Sequence, residues 1–409
     1  MGANVVGLGL TSMFTDISTE MVTAILPTYL ALELGLGLGR VGLIDGLQNA
    51  VSALLRLAGG TFSDRRGRYK LTAAGGYGIS TIAKLGLVLW GTAVAPFGAS
   101  LLLDRVGKGL RTVPRDALIS LSAHPRSLAL AFAVHRAMDT LGALIGPLLA
   151  FAILAAAPTA YDAIFVASLA AGVVGLASIT LLVREPGRGR EGPEPADPTN
   201  EARALSAKLA EALGSRRLRR LLLVGPLLAI FSVGDALIYL IIQREANIDA
   251  RYIPLLFAGT AVSYLLLALP AGRLADSYGR MRVYLAGHVL LVALYVLLAG
   301  IGGLGGWAVF AALGLLGAHY AMTDGVLMAA ASTVIPPMWR GTGLAVLTTA
   351  LLGARLVAST SFGTAVERFG STPPLLILAA GLVGAVAISP SVLGGLEPHS
   401  PAASGAMPR

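Results

Sequence analysis

Long apolar runs, separated by short polar turns, dominate this chain. A helix needs about 20 mainly apolar residues to cross a bilayer. Runs of that kind predict spanning helices near 5–33, 40–62, 70–93, 96–120, 127–155 and 161–183. A stretch rich in Pro, Gly and charge then follows over 184–218. Six further runs lie near 219–243, 251–274, 281–301, 304–335, 341–365 and 372–396. The pattern predicts an all-α membrane protein of twelve transmembrane helices. It divides into an N-terminal six-helix bundle (1–183), a linker (184–218), a C-terminal six-helix bundle (219–396) and a tail (397–409). Within the linker Leu205, Leu209 and Leu213 recur every four residues. That spacing fits a short amphipathic helix on the membrane surface, and it fits a solvated tether equally.

Composition sharpens the picture. The chain of 409 residues is 55% hydrophobic and only 13% charged, against roughly 25% charged in soluble domains. Its mean hydropathy is +0.76. It holds 51 glycines, which suit close helix packing in lipid. It has no cysteine, which rules out disulfides and thiolate metal sites. The first apolar run lacks the basic start and small-residue cleavage site of a signal peptide, so it reads as a retained helix.

The net charge of +9 could suggest a nucleic-acid partner, but its distribution argues for membrane orientation instead. With the N-terminus inside, 19 of the 31 Lys and Arg fall in cytoplasmic segments. Only Arg40, Arg244, Arg251 and Arg368 fall outside. Both termini and the linker are therefore expected in the cytoplasm, with the chain in a bacterial inner (plasma) membrane.

Charge clusters at 64–70, between the second and third runs, and again near 276–282. The pattern G-x-[LF]-[SA]-D-x-x-G-R occurs at both places. The first copy holds Gly60, Asp64, Gly67 and Arg68; the second holds Gly272, Asp276, Gly279 and Arg280. Each pair of equivalents is 212 residues apart, so the chain reads as a tandem repeat. Arg65 follows Asp64 in the first copy, and Ser277 takes that place in the second. Glycine permits tight turns and close helix approach. The Asp can accept from a helix N-terminus or pair with an Arg of the next helix, as a latch would.

This pattern resembles the loop signature of the major facilitator superfamily, and the resemblance covers essentially the whole chain. It implies two pseudo-symmetric bundles around a central cavity, alternating access and action as a monomer. Arg105, Lys108 and Gly109 resemble a second superfamily motif, R-x-x-[QK]-G, whose Arg is linked to proton transfer in proton-coupled members. By that resemblance Asp16, Glu20 or Asp139 is the titrating partner. Gly142, Gly146 and Pro147 partly match the helix 5 motif of exporting antiporters, with Ala150 and Phe151 where a Gly pair stands. Physically they allow a kinked helix packed close on a neighbour.

Ionisable groups within spans are expensive, so each is a candidate functional residue. Asp16 and Glu20 lie one turn apart in the first run. Arg105, Lys108 and Arg111 stand three apart in the fourth and are expected to form a basic stripe on the cavity. His135, Arg136 and Asp139 lie in the fifth. The three runs are expected to share one charge network. The C-terminal half offers Asp235, His319, Asp324 and Arg355, with Asp324 and Arg355 as a candidate pair. Tyr239, Tyr264, Tyr320, Phe231 and Phe257 line the cavity or simply pack.

The sequence has neither a Walker loop nor an H-E-x-x-H motif, which points away from ATP drive and metalloenzymes. No enzymatic activity, cofactor, metal or nucleic acid is expected. The reading is a secondary active transporter that exports small organic or drug-like molecules against protons. One alternative is an importer or exchanger of organic or inorganic anions; another is a lipid flippase or a non-transporting scaffold. A net positive cavity favours anions. Balanced charges with a large apolar surface favour drug-like export.

Overall fold

The computed structural model describes residues 3–66, 68–123, 128–185, 216–335 and 340–393. Every regular element among them is helical. The helices are α1 (Ala3–Thr28), α2 (Leu38–Arg66), α3 (Tyr69–Leu89), α4 (Val94–Ser122), α5 (Leu128–Ala156) and α6 (Tyr161–Leu182). After the linker come α7 (Arg216–Ala229), α8 (Asp235–Glu245), α9 (Ile253–Tyr278) and α10 (Arg280–Ala299). The last four are α11 (Trp307–Thr323), α12 (Val326–Val334), α13 (Arg340–Phe369) and α14 (Thr372–Leu393). Helices satisfy their own backbone hydrogen bonds, so such apolar runs take this form in lipid.

Seven segments among the described residues are long and apolar enough to cross a membrane: α5, α6, α9, α10, the α11–α12 run, α13 and α14. The charge of α2 and α4 dilutes their hydropathy. α4 alone carries Asp104, Arg105, Lys108, Arg111, Arg115 and Asp116.

Two runs read as single helices are broken. The run over 219–243 is α7 and α8, interrupted at 230–234. The run over 304–335 is α11 and α12, interrupted at Asp324 and Gly325. Gly325 adopts φ +78°, a left-handed backbone that only glycine takes without strain. Gly279 does the same at φ +101° in the one-residue turn between α9 and α10.

α1 packs against α5 and α6, α3 against α4 and α6, and α2 against α4. Farther along, α9 and α10 pack against α11, α10 against α14, and α7 against α13. The two groups meet chiefly where α2 lies on α13 and α5 on α9. The α2–α13 seam is closest at its glycines. A Cβ added to Gly46 would stand 2.9 Å from Leu356 Cα. Gly42 lies against the Ser359 backbone, and Gly363 against that of Leu38. Glu367 caps the seam by accepting from the Gly39 N–H at 2.9 Å.

Gly142 and Gly146 seat α1 directly on α5. A Cβ at Gly146 would lie 2.9 Å from Ile17 O and 3.0 Å from Glu20 Cβ. α5 runs unbroken through Pro147.

Candidate functional site

A cavity of about 480 Å³ lies among the helices. α1 contributes Glu20 and Thr23, α2 contributes Asp45 and Gln48, and α4 contributes Arg105 and Lys108. Asp235 and Tyr239 come from α8, Phe257 and Tyr264 from α9, Tyr320 from α11 and Arg355 from α13; Asp324 comes from the α11–α12 break. Both helix breaks thus open onto the same space. Broken helices place backbone polar groups and half-helix ends where a substrate can reach them, a tolerable arrangement only around a cavity.

Arg105 is held by neutral acceptors. Its Nε donates to Gln48 Oε1 at 3.0 Å and its Nη2 to Thr23 Oγ1 at 3.4 Å. Asp235 opens the first turn of α8, where the helix dipole favours an acid. The Tyr320 hydroxyl donates to its carboxylate. Asp324 and Arg355 both line the cavity, but they form no ion pair within 4.0 Å among the described residues. Asp45 escaped the sequence reading; its carboxylate lies against Gly234 at the head of α8. Its signal was an acid within an otherwise uncharged stretch, Val41–Leu55.

The expected basic stripe does not hold together. Arg111 turns away from the cavity to α3, where its Nη1 donates to Ser80 Oγ at 2.9 Å and its guanidinium sits 4.5 Å from the Tyr77 ring. Three residues advance about 300° around a helix, so six residues displace the side chain by about 120°. Arg105 and Lys108 share the cavity; Arg111 cannot.

Asp16, His135, Arg136 and Asp139 also stand off the cavity wall. They gather instead at the junction of α1, α4 and α5. Asp16 lies beside Asp139, with Lys108 and Glu20 nearby. Ser12 Oγ donates to Asp139 Oδ1 at 2.5 Å. Arg115 Nη1 donates to Ser12 Oγ at 3.1 Å and lies 3.7 Å from Asp139 Oδ1. Arg115 Nη2 pairs with Asp116 Oδ1 at 2.9 Å. Arg136 Nη1 reaches Asp139 Oδ2 at 3.9 Å, with its side chain 80% exposed. Both ring nitrogens of His135 are buried without a partner among the described residues. The three helices therefore do share one network, built on Arg115 rather than Arg105. Ten residues of α4 separate those two, about 15 Å along the helix axis.

His319 is buried beside the cavity, with Nδ1 2.9 Å from Gly287 O. Its ring stands 5.2 Å from that of His288, which lines an adjoining space of about 190 Å³ that also reaches Asp324 and Arg355. Tyr239, Tyr264, Tyr320 and Phe257 line the main cavity; Phe231 packs on Gly381 instead.

In the second copy of the loop pattern, Asp276 pairs with Arg280 of the next helix at 3.3 Å. Arg280 also donates to Ala329 O of α12 at 3.2 Å. Gly272 has open space around it. In the first copy, Arg68 is exposed at the head of α3. The side chains at Gly60, Asp64 and Arg65, and residue Gly67, lie outside the described residues, as do 186–215 of the linker and the tail.

The model of the Major Facilitator Superfamily matches residues 8–242, more than half of the chain. The chain belongs to the major facilitator superfamily. An uncharacterised MFS-type transporter of Methanocaldococcus jannaschii is 29% identical over 301 residues, which is 71% of this chain and 70% of that protein. The nucleoside transporter NupG superposes with a TM-score of 0.78 at 13% identity, covering 95% of this chain and 99% of its own. A peptide transporter, POT, in complex with alafosfalin gives 0.77 at 14% identity, covering 96% and 95%. At these identities the two structures show a shared fold. The superfamily is one of membrane transporters, and the chain is an integral membrane protein of that kind.

Proposed function

We propose that this chain is a secondary active transporter of small organic molecules, coupled to protons and working by alternating access. Its spans number twelve on this reading, with α7–α8 and α11–α12 each making one broken span. They form two six-helix bundles over 1–183 and 219–396, with both termini cytoplasmic in a bacterial inner membrane. The chain acts as a monomer, and export is the direction the partial antiporter motif favours. Asp64 and Asp276 serve as loop latches.

The observation that carries the reading is the division of charged groups into two places. One set lines the 480 Å³ cavity, and the other is the Asp16–Asp139–Arg115 cluster farther along α4, towards its C-terminal end. A substrate site and a proton site are thereby separate, with Lys108 and Glu20 between them. The cavity's four carboxylates, Glu20, Asp45, Asp235 and Asp324, meet three cations, Arg105, Lys108 and Arg355. That balance speaks against a carrier of simple anions. An open cavity speaks against a scaffold.

The test is proton movement in energised everted vesicles, read by an internal pH dye. Lipophilic cations, neutral drugs, sugars, peptides and organic anions are added in turn. One class should release protons, and Asp16→Asn with Glu20→Gln should abolish the release. Exchange of labelled anions without any proton movement would replace this reading with the anion exchanger.

A further inference from the structure

Apart from Glu20 on α1 and Asp45 on α2, the charges of the cavity are sorted by sign. On one wall α4 presents Arg105 and Lys108, three residues apart and so on one helix face. Neither has a carboxylate oxygen within 4.0 Å among the described residues. Arg105 is oriented by Gln48 and Thr23, two neutral groups that fix the guanidinium without neutralising it. A guanidinium so held keeps N–H donors for an oxyanion.

The facing side is acidic. Asp235 and Asp324 share Arg355 as their neighbouring cation, whereas Asp45 lies near both Arg105 and Arg355. Two carboxylates beside one guanidinium leave a formal excess of one negative charge. Arg355 forms no ion pair within 4.0 Å with any of them. Asp324 lies in the helix break, where it is exposed to the cavity. Apolar side chains, Leu26, Leu30 and Phe257 among them, line the same cavity.

From this arrangement we infer that the substrate is a small zwitterion, with an ammonium group at one end and an oxyanion at the other. The oxyanion docks on Arg105 and Lys108, the ammonium on Asp324 and Asp235, and a short apolar middle spans Phe257. A cavity of this size admits a molecule of amino-acid to dipeptide size. The inference rests on the transporter reading and narrows its substrate class. Electrostatic complementarity of this kind selects partners by penalising a wrong or missing charge.

The test is a charge series on the full-length protein. Alanyl-alanine and 5-aminopentanoate are each compared with their N-acetyl form, their amide and the form carrying both changes. A lipophilic cation and a neutral drug accompany them. Binding is read by thermal shift in detergent, and transport by a pH dye in proteoliposomes. The zwitterions should act at concentrations at least about tenfold lower than their singly charged or neutral derivatives. Asp324→Asn should remove most of the advantage of alanyl-alanine over its N-acetyl form. Lys108→Gln should remove most of its advantage over the amide. Each variant is first shown to melt as the parent does, and Asp324→Glu should restore the preference.

N-acetyl forms or amides that match the zwitterions would overturn the inference, and so would silence from both zwitterions. Movement of the cation or the neutral drug alone would sink it while sparing the transporter reading. If no compound of any charge binds or moves, the transporter reading falls as well.

Discussion

Lys84 Nζ stands 3.2 Å from Asp104 Oδ2 between α3 and α4, with side-chain exposures of 3% and 5%. Neither residue lines the cavity. The pair is a brace at membrane depth, and its energetics follow from desolvation. Lys84→Met alone strands a buried carboxylate and should cost about 3–5 kcal/mol. Lys84→Met with Asp104→Leu removes both charges and should recover most of that loss. Arg111 keeps its own partners, Ser80 and Tyr77, in either variant. Thermal melts in detergent check the order. The double variant should still transport, and a double variant that folds but does not transport would move the pair from brace to mechanism.

The seam between α2 and α13 should govern access from one end of the cavity. Gly46 lies so close to Leu356 that any side chain there forces the helices apart. Overpacking of this kind costs roughly 1–3 kcal/mol, which raises an open population about 5-fold to about 150-fold. The chain has no cysteine, so a single introduced thiol reports cleanly. Leu26→Cys, on the cavity wall, should react slowly with an impermeant maleimide from the seam side in the parent. With Gly46→Val added it should react at least about fivefold faster. Equal rates would mean that the seam is not what seals that end.

The all-helical fold was legible because lipid leaves an apolar run few alternatives to a helix. The shared network of α1, α4 and α5 was legible for a related reason: Asp16, Arg115 and Asp139 need partners at depth. The orientation of Arg111 was not, since a three-residue spacing drifts around the helix and only the position of α3 decides which neighbour it meets. The breaks at 230–234 and at Asp324–Gly325 were also hidden. Their flanks remain apolar, so periodicity carries through them, and the backbone turn at Gly325 leaves little trace in composition. Asp45 was missed although it is a lone acid in an otherwise uncharged stretch, the same kind of signal that marked Asp235. On the C-terminal wall the sequence pairs Asp324 with Arg355 but leaves Asp235 apart, because the three come from α8, the α11–α12 break and α13.

Gly325 separates conformation from packing. Its φ of +78° is unfavourable for any residue with a Cβ, yet a Cβ there would meet nothing within 4 Å. Gly325→Ala should therefore destabilise by about 1–2 kcal/mol through backbone strain alone. Gly353, within α13, also has open space around it but ordinary helical geometry. Gly353→Ala should be neutral or slightly stabilising. Denaturation midpoints of the two variants in detergent test the contrast. A loss at Gly325 no greater than at Gly353 would mean that the break re-forms without its turn.

The position of Lys108 yields the last prediction. It lines the cavity, and its ammonium is also the main cationic neighbour of Asp16. Asp16 in turn lies against Asp139, whose Oδ1 accepts from Ser12 at 2.5 Å and faces Arg115 at 3.7 Å. An oxyanion that draws Lys108 towards the cavity weakens its hold on Asp16 and leaves that carboxylate beside another one. Two carboxylates so placed are better accommodated with a proton between them. Substrate and proton would thus communicate through one ammonium group. Lys108→Gln should cut that communication and weaken the oxyanion dock without abolishing it, because Arg105 remains. Exchange of substrate across proteoliposomes at equal pH should survive at a reduced rate. Accumulation driven by a pH gradient should fall about tenfold or more, because an uncoupled carrier loses its driving force altogether. Asp16→Asn should show the same split, since it removes the proton site without touching the cavity wall. Loss of exchange and of gradient-driven accumulation in equal measure, in both variants, would place Lys108 and Asp16 in the structure rather than in the coupling.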